Sequence, residues 1–354
     1  MAAYVHCNFH SCILRMQVDV SILLPEKERM EDVEQGKKGE TFGKNKKYQT
    51  LYLLHGFTGD HLTYLRTSKI ERYADEHQIM VVMPSVYNSA YTDMKYGLDY
   101  FSYLTEELTD FVERNFPAAT KRENRFIAGM SMGGYGAYKW GLTCPEKFAA
   151  IGGVAGSYHA EYRYQGKVNT VSTLCEALYG DPPAITPEVH DVFTLLKNRK
   201  EEGRDIPRLY TCCGTEDRRH QDSVDLKEFA DQLGVPLLFE EGPGRHDDIF
   251  FDEYIQKILD WMNFAGKSVE KGVVSPDFFS ATAPREIQGE EKNGDRKSSR
   301  SRNTGIQRLY GYGRRWGWQH RSGTGKHSDS SVWKSDPSCG SGYTGKSGSS
   351  ERKN

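Results

Sequence analysis

The chain has 354 residues, enough for one large α/β domain with an appendage or for two average domains. Only 37% of the residues are hydrophobic and the mean hydropathy is −0.69, which indicates that part of the chain lies outside any packed core. The formal net charge is −2, no run of about 18 apolar residues exists, and the first residues lack the apolar stretch of a signal peptide, so we expect a cytoplasmic protein without a membrane segment.

From Met16 to about Phe264, short apolar or β-branched segments alternate with longer helical patterns. One such pattern predicts a helix over Tyr100–Phe116, which Pro117 stops. This alternation predicts an α/β fold with a mostly parallel central sheet and helices on both faces, and ligand sites at the C-terminal strand ends. The predicted strands are Met16–Leu24, Tyr48–Leu54, Ile79–Met83, Arg125–Ala128, Ala149–Val154, Leu209–Cys213 and Pro236–Glu240.

Two segments depart from this alternation. Residues 26–47 are charged and contain glycine, which is typical of an exposed hairpin loop, here between the first two predicted strands. Residues 156–203 have many tyrosines and leucines but no strand pattern, so we predict a helical excursion or lid over the sheet edge. We expect this segment and residues 88–97 to form the walls of a substrate pocket.

Residues 129–133, Gly-Met-Ser-Met-Gly, lie between a predicted strand and a small-residue helix. In that position they predict a nucleophile elbow, a tight turn in which the flanking glycines relieve steric crowding and the serine hydroxyl projects above the sheet. Ser131 is therefore the candidate nucleophile.

A serine nucleophile needs a general base, and the base needs an acid that fixes its tautomer. His246 follows the last predicted strand, where the base belongs in a chain order of serine, acid, histidine. Asp217 lies four residues beyond the preceding strand and is the preferred acid, with Glu216 and Asp222 as competitors. Asp247 is disfavoured because it follows the histidine.

An oxyanion hole needs backbone N–H groups directed at the developing negative charge. We expect one from Met132, the residue after the nucleophile, and one from Phe57 in the turn after the second predicted strand. His55 in the same turn is interpreted as a support for the loop. His55, Asp60 and His61 together resemble metal ligands, but no second cluster accompanies them, so we predict loop histidines and no metal.

Four segments, residues 53–56, 129–137, 214–217 and 242–247, resemble the α/β-hydrolase fold. More narrowly they resemble the esterase family that includes esterase D, S-formylglutathione hydrolase and bacterial tributyrin esterases, over about residues 4–265. The resemblance implies a serine carboxylesterase that hydrolyses short-chain acyl esters through an acyl-serine intermediate, with Ser131, His246 and Asp217 as its triad. It implies a small-molecule ester substrate, no cofactor and a possible homo-oligomer.

Other functions stay open. Thioester hydrolysis of the S-formylglutathione hydrolase type and acyl transfer are alternatives within the family. A hydrolase-like binding module without activity is the alternative of another class, although every part of the catalytic machinery is present in the sequence.

The predicted domains are a catalytic domain over residues 1–266 and a basic Gly/Ser/Arg-rich tail over 267–354, expected to be disordered. Residues 291–354 contain 24 glycines and serines and 14 lysines and arginines against 5 acidic residues, a charge of +9 that leaves −11 on residues 1–290. Such a tail can bind nucleic acid or an anionic surface. A simple extension without that role is the preferred interpretation.

Seven cysteines form an odd set without C-x-x-C spacing. This pattern argues against a disulfide framework and against a cysteine zinc site. We therefore expect reduced thiols, mostly buried.

Overall fold

The computed structural model describes residues 2–25, 47–159, 170–180 and 185–264. Most of the predicted loop at 26–47 and the whole of the predicted tail at 267–354 lie outside the described residues.

The described residues contain an eight-stranded sheet. Seven of the strands match the predicted ones within two residues at either end, and the first strand was not predicted. The strands are β1 (Ala3–Ser11), β2 (Met16–Leu24), β3 (Thr50–Leu54), β4 (Met80–Pro84), β5 (Arg125–Met130), β6 (Ala150–Val154), β7 (Arg208–Gly214) and β8 (Leu237–Gly242).

The strand order is β1-β2-β4-β3-β5-β6-β7-β8, and the pairs from β4 to β8 are all parallel. Only β1 with β2 and β2 with β4 pair antiparallel. The predicted mostly parallel sheet is confirmed. The predicted hairpin between β2 and β3 is wrong, because β4 lies between these two strands and pairs with both.

Helices cover both faces of the sheet. Among the described residues, no helix is long and apolar enough to cross a membrane. The α-helices are α1 (Thr63–Thr67), α2 (Ile70–His77), α3 (Tyr100–Ser102), α4 (Thr109–Asn115), α5 (Met132–Thr143), α6 (Thr170–Tyr179), α7 (Pro187–His190), α8 (Val192–Glu201), α9 (His220–Gln232) and α10 (Asp248–Met262), and a π-helix over Tyr103–Leu108 joins α3 to α4.

Strand β4 shows why both faces need helices. Met80 and Val82 lie in one apolar core, which they share with the buried side chains of α5, α8 and α9. Val81 and Met83 lie in the second core, against α2 and α10. Since successive side chains of a strand point to opposite faces, a continuous apolar strand requires a cover on each side.

The sequence analysis did not predict strand β1, although partly buried and exposed residues alternate along it. Val5, Cys7 and Phe9 are partly buried, whereas His6, Asn8 and the other alternate residues are exposed. Because β1 pairs only with β2, it is an edge strand with one face in solvent, and its polar residues hide the strand pattern from a search for apolar runs.

The helix predicted over Tyr100–Phe116 is present as α3, the π-helical segment and α4, and it ends at Asn115 before Pro117. The excursion after β6 is helical where it is described, in α6, α7 and α8. Its helices α7 and α8 pack against α5, which follows Ser131. This placement puts the excursion beside the candidate nucleophile.

The six cysteines in the described part of the chain are free thiols. Three of them, Cys175, Cys212 and Cys213, are buried, whereas Cys12 is exposed. These free thiols agree with the expectation of reduced cysteines. The expectation that most of them are buried is met by three of the six.

Gly152 on β6 provides a test of the packing between sheet and helix. A Cβ at this position would lie 2.7 Å from Cγ2 of Ile258 on α10. We expect Gly152→Ala to lower the free energy of unfolding by about 1–3 kcal/mol, as overpacking does, measured by urea denaturation. Adding Ile258→Leu removes that branch methyl and should recover part of the loss. Equal stability of Gly152→Ala and the wild type would contradict this account.

Candidate functional site

Ser131 occupies a strained turn between β5 and α5. Its φ of 54° and ψ of −116° are unusual for a residue with a side chain. A Cβ on Gly133 would lie 2.1 Å from the carbonyl oxygen of Leu54 on β3, a backbone atom that cannot rotate away. Glycine is therefore required at position 133 for α5 to start this close to the sheet. The strained turn projects the Ser131 hydroxyl away from the sheet.

The structure brings the three predicted catalytic side chains into one hydrogen-bonded line. The Oγ of Ser131 lies 2.8 Å from Nε2 of His246. The Nδ1 of the same imidazole lies 2.7 Å from Oδ2 of Asp217. Because the Asp217 carboxylate only accepts hydrogen bonds, Nδ1 of His246 carries the proton that it donates to Asp217. Nε2 of His246 is then the nitrogen that accepts a hydrogen bond from the Ser131 hydroxyl.

Two neighbouring strand ends hold the acid and the base together. The loop after β7 carries Asp217 and the loop after β8 carries His246, and the backbone N–H of Glu216 donates to the carbonyl of Gly244 over 3.0 Å. A Cβ on Gly214 would lie 2.3 Å from that same carbonyl oxygen. The close backbone contact sets the separation of the two loops.

The competing acids are engaged elsewhere. Glu216 is exposed and pairs with Arg245 at 3.0 Å. Asp222 lies 3.5 Å from Arg219. Asp247 caps α10 by accepting from the N–H of Phe250 at 3.1 Å. In the described part of the chain, none of these carboxylates forms a hydrogen bond or an ion pair with His246.

Asp217 is buried and ionised. Burial of this carboxyl opposes its ionisation, but the hydrogen bonds from His246 and from the backbone N–H of Arg219, at 2.8 Å, outweigh that cost and hold its pKa below its usual range. The imidazole therefore faces a fixed negative charge, which stabilises it when it takes up a proton.

The loop after β3 lies against the nucleophile. A Cβ on Gly56 would contact Cβ of Ser131 at 3.6 Å. His55 supports this loop, as expected: its Nδ1 donates to the carbonyl of Gly56 at 2.7 Å, and its Nε2 accepts from the N–H of Val86 at 3.1 Å. Burial lowers the pKa of His55, so the ring stays neutral and both nitrogens are used by the backbone.

Phe57 and Met132, the predicted oxyanion-hole residues, both line the cavity at Ser131. Phe57 is 47% exposed, whereas Met132 is buried at the start of α5. Neither backbone N–H donates a hydrogen bond to another described residue. Both groups are therefore available for an acceptor that enters the cavity.

A cavity of about 290 Å³ opens beside Ser131, close to the lower end of the range for ligand pockets. As expected, its walls come from the two predicted segments, 88–97 and 156–203, and Phe57 and Met132 complete them together with two arginines that the sequence did not single out. The lining residues are Phe57, Asn88, Ala90, Ser131, Met132, Ser157, Leu174, Cys175, Leu178, Arg218 and Arg219.

The segment predicted as a helical excursion contains Tyr158, Tyr162 and Tyr164, and of these Tyr158 is a packing residue. It is fully buried and its hydroxyl lies 2.7 Å from Oγ1 of Thr211. Tyr162 and Tyr164 lie outside the described residues. Arg218 and Arg219 follow the acid directly, and their place beside the strand end that carries Asp217 was the signal that could have revealed them.

Comparison with known proteins agrees with this architecture. The family model described as "Putative esterase" matches residues 39–235. An acetyl esterase of Caldicellulosiruptor saccharolyticus is 30% identical over 281 residues, which cover 74% of this chain and 98% of that protein.

Two solved structures from Staphylococcus aureus are also similar. The fluorophosphonate-binding serine hydrolase FphF, solved with a bound substrate, is 36% identical with a TM-score of 0.67, over 74% of this chain and 98% of that one. The S-formylglutathione hydrolase FrmB is 37% identical with a TM-score of 0.64, over 74% and 99%.

The fold and these similarities define an α/β-hydrolase that acts on carboxylic ester bonds. The chain belongs to the esterase family. The predicted fold class and enzyme class are thereby confirmed, and a small-molecule ester is the substrate that this family implies.

The lowered pKa of Asp217 predicts a pH dependence of stability. Because the folded-state pKa lies below the unfolded value of about 3.9, the contribution of this carboxylate is fully present above that value and is lost as the pH falls through the folded pKa. We expect the difference in unfolding free energy between the wild type and Asp217→Asn to hold at about pH 5 and to shrink below about pH 4.

Urea denaturation at a series of pH values measures that difference. Glu216→Gln is the matched control, since this neighbouring carboxylate is exposed and pairs with Arg245, whereas Asp217 pairs with His246. A difference for Asp217→Asn that stays constant down to about pH 3 would contradict the assignment of the shift to the folded state.

Proposed function

We propose that this esterase hydrolyses short-chain acyl esters through an acyl-serine intermediate, with Ser131 as nucleophile, His246 as general base and Asp217 as the acid that orients it. The observation that carries the proposal is the unbroken relay of hydrogen bonds, 2.8 Å from Ser131 Oγ to His246 Nε2 and 2.7 Å from His246 Nδ1 to Asp217 Oδ2. This arrangement supplies each role that a serine nucleophile requires.

In the acylation half, Oγ of Ser131 bonds to the ester carbonyl carbon while Nε2 of His246 takes its proton. The carbonyl π electrons move onto oxygen and form a tetrahedral oxyanion. When this intermediate collapses, the bond to the alcohol oxygen breaks and His246 returns the proton to the leaving alcohol. Asp217 stays ionised and stabilises the imidazolium in between.

In the deacylation half, His246 takes a proton from a water molecule as that water attacks the acyl carbon. Collapse of the second tetrahedral intermediate releases the carboxylic acid and returns the proton to Oγ of Ser131. No step uses a cofactor.

The oxyanion of both intermediates is assigned to the backbone N–H groups of Phe57 and Met132. Both residues border the cavity at Ser131, and neither N–H is used within the described chain. The N-terminus of α5, a helix of 12 residues, adds its positive dipole end at the same point. Preorganised donors of this kind contribute about 3–4 kcal/mol each to transition-state binding.

Short acyl groups are favoured by the size of the cavity. Its volume of about 290 Å³ is limited by the apolar side chains Ala90, Leu174 and Leu178, which offer contact to a few methylene groups. The similarity to an acetyl esterase supports the same substrate size.

Turnover of p-nitrophenyl acetate, butyrate and octanoate tests this proposal. We expect activity to fall with chain length, and Ser131→Ala to lower kcat by about 10³- to 10⁶-fold. Octanoate turnover equal to acetate turnover would contradict the assigned substrate size, and an active Ser131→Ala would contradict the nucleophile.

A covalent probe gives a readout that is independent of substrate choice. A fluorophosphonate should add one phosphonyl group to Ser131 in the wild type, detected by intact mass and peptide mapping. Ser157→Ala, which removes the other serine hydroxyl of the cavity wall, is the matched control and should still be labelled.

A second candidate is hydrolysis of an acyl thioester whose thiol part carries carboxylates, as in S-formylglutathione. Two guanidinium groups favour it. Arg218 and Arg219 lie on the cavity wall, and Arg218 is exposed and makes no ion pair or hydrogen bond with another described residue. FrmB, described as an S-formylglutathione hydrolase, is 37% identical. Guanidinium groups pair with carboxylates in a bidentate geometry.

Arg218→Gln separates the two candidates. If the substrate is anionic, this change should lower kcat/KM for S-acetylglutathione about fivefold and leave p-nitrophenyl acetate turnover unchanged, since one charge pair at a wet site is worth about 1 kcal/mol. Arg245→Gln is the matched control, because Arg245 is exposed, pairs with Glu216 and lies outside the cavity wall. Equal effects on both substrates would exclude a carboxylate subsite at Arg218.

A further inference from the structure

A second group of polar side chains lies at the edge of the sheet where the antiparallel strands are. His6 on β1, Asp19 on β2 and His61 in the loop before α1 form what we call the edge cluster. One potential ligand atom from each residue lies within 4.8 Å of the other two. Nε2 of His6 is 2.9 Å from Oδ1 of Asp19, and the two imidazole rings stack with centroids 4.9 Å apart.

Neighbouring groups orient two members of the edge cluster. The Nδ2 of Asn8 donates to Oδ1 of Asp19 at 2.8 Å. The Oγ of Ser21 lies 2.7 Å from Nδ1 of His61. The other nitrogen of that ring, Nε2, is not used by this hydrogen bond. Metal-binding histidines and carboxylates in proteins are held by hydrogen bonds of this kind.

The backbone of His61 is also fixed. Its N–H donates to Oγ of Ser85 at 2.9 Å, and the residue is only 9% exposed. By contrast, the side chain of His6 is 46% exposed on the solvent face of β1. The edge cluster thus combines one buried, anchored imidazole with one that is half-exposed on a strand at the edge of the sheet.

We propose that the edge cluster is a binding site for a divalent transition metal ion of the zinc class, with imidazole nitrogens of His6 and His61 and a carboxylate oxygen of Asp19 as ligands. Two imidazoles and one carboxylate are a common donor set for this ion, and water takes the fourth tetrahedral position. The proposal is independent of the proposed function, because His61 does not line the cavity and no step of ester hydrolysis uses the ion.

Binding requires a small movement. Zinc bonds of about 2.0–2.1 Å place tetrahedral ligand atoms about 3.4 Å apart, whereas the potential ligand atoms of the edge cluster lie within 4.8 Å of one another, so the wider spacings must shorten. The two rings are nearly parallel, at 10°, so their lone pairs do not converge until one ring turns. Rotation of the exposed His6 side chain supplies both changes.

The ion would connect parts of the chain that are distant in sequence. It would join the β1–β2 hairpin to the loop that carries Phe57, four residues before His61. Since a ligand that binds only the folded state stabilises that state, the ion should raise the resistance of this sheet edge to unfolding.

Sequence spacing did not reveal the site, because its ligands lie 13 and 42 residues apart on three elements. The grouping weighed from the sequence, His55 with Asp60 and His61, is not the one found. Both nitrogens of His55 are used by the backbone, and Asp60 accepts from the N–H of Leu62 and from Arg66.

Calorimetric titration of the full chain tests the proposal, after treatment with EDTA and dialysis. We expect a zinc sulfate titration to show a site of one equivalent per chain that weakens at least tenfold in His6→Ala and in His61→Ala. His10→Ala is the matched control, because His10 lies on the same exposed face of β1 and should leave that site unchanged. Cobalt chloride should give the visible absorption of a tetrahedral site in the wild type and not in His6→Ala or His61→Ala.

Zinc should also raise the melting temperature of the wild type, and not that of His6→Ala. Asp19→Asn, at a partly exposed position, keeps the test valid if His61→Ala does not fold. Binding that persists unchanged in His6→Ala and Asp19→Asn, or no binding by the wild type, would overturn the proposal. Ser131→Ala should bind zinc like the wild type, so that loss of esterase activity and loss of metal binding are distinguishable.

Discussion

The candidate active site depends on one steric constraint, the contact between the start of α5 and the end of β3. A Cβ on Gly133 would lie 2.1 Å from the Leu54 carbonyl oxygen, so the space there accommodates only the hydrogen atom of glycine. This contact lets the chain pass from β5 into α5 within one residue, and Ser131 takes the strain at a φ of 54°. Such a backbone costs about 1–3 kcal/mol, and the buried sheet on both sides holds it in place.

A second backbone contact has the same role for the acid and the base. Because Gly214 and Gly244 have no side chains, the loops after β7 and β8 touch through their backbones. Asp217 and His246 thereby meet at hydrogen-bond distance although 29 residues separate them. The relay is therefore a property of parallel strand ends that lie next to each other, and the side chains only complete it.

The two ends of the sheet are built differently, and this decides where further chemistry lies. The parallel strands from β3 to β7 are buried on both faces, and the candidate catalytic residues Ser131 and Asp217 lie just beyond the ends of two of them. The antiparallel edge keeps one face in solvent, so polar side chains follow each other at every second residue of β1. The edge cluster arises from that alternation and from the proximity of the loop after β3.

The sequence by itself determined most of the element types, the parallel sheet and the candidate triad of Ser131, Asp217 and His246, because these follow from local periodicity and from motifs whose mechanics are short-range. Only the tertiary structure decided the strand order, in which β4 separates β2 from β3, and the contacts that distant segments make in the cavity wall and in the edge cluster. Arg218 reaches the cavity, and His6 reaches His61, through pairings that span tens of residues. Such pairings depend on the packing of the whole sheet, and local sequence patterns do not encode them.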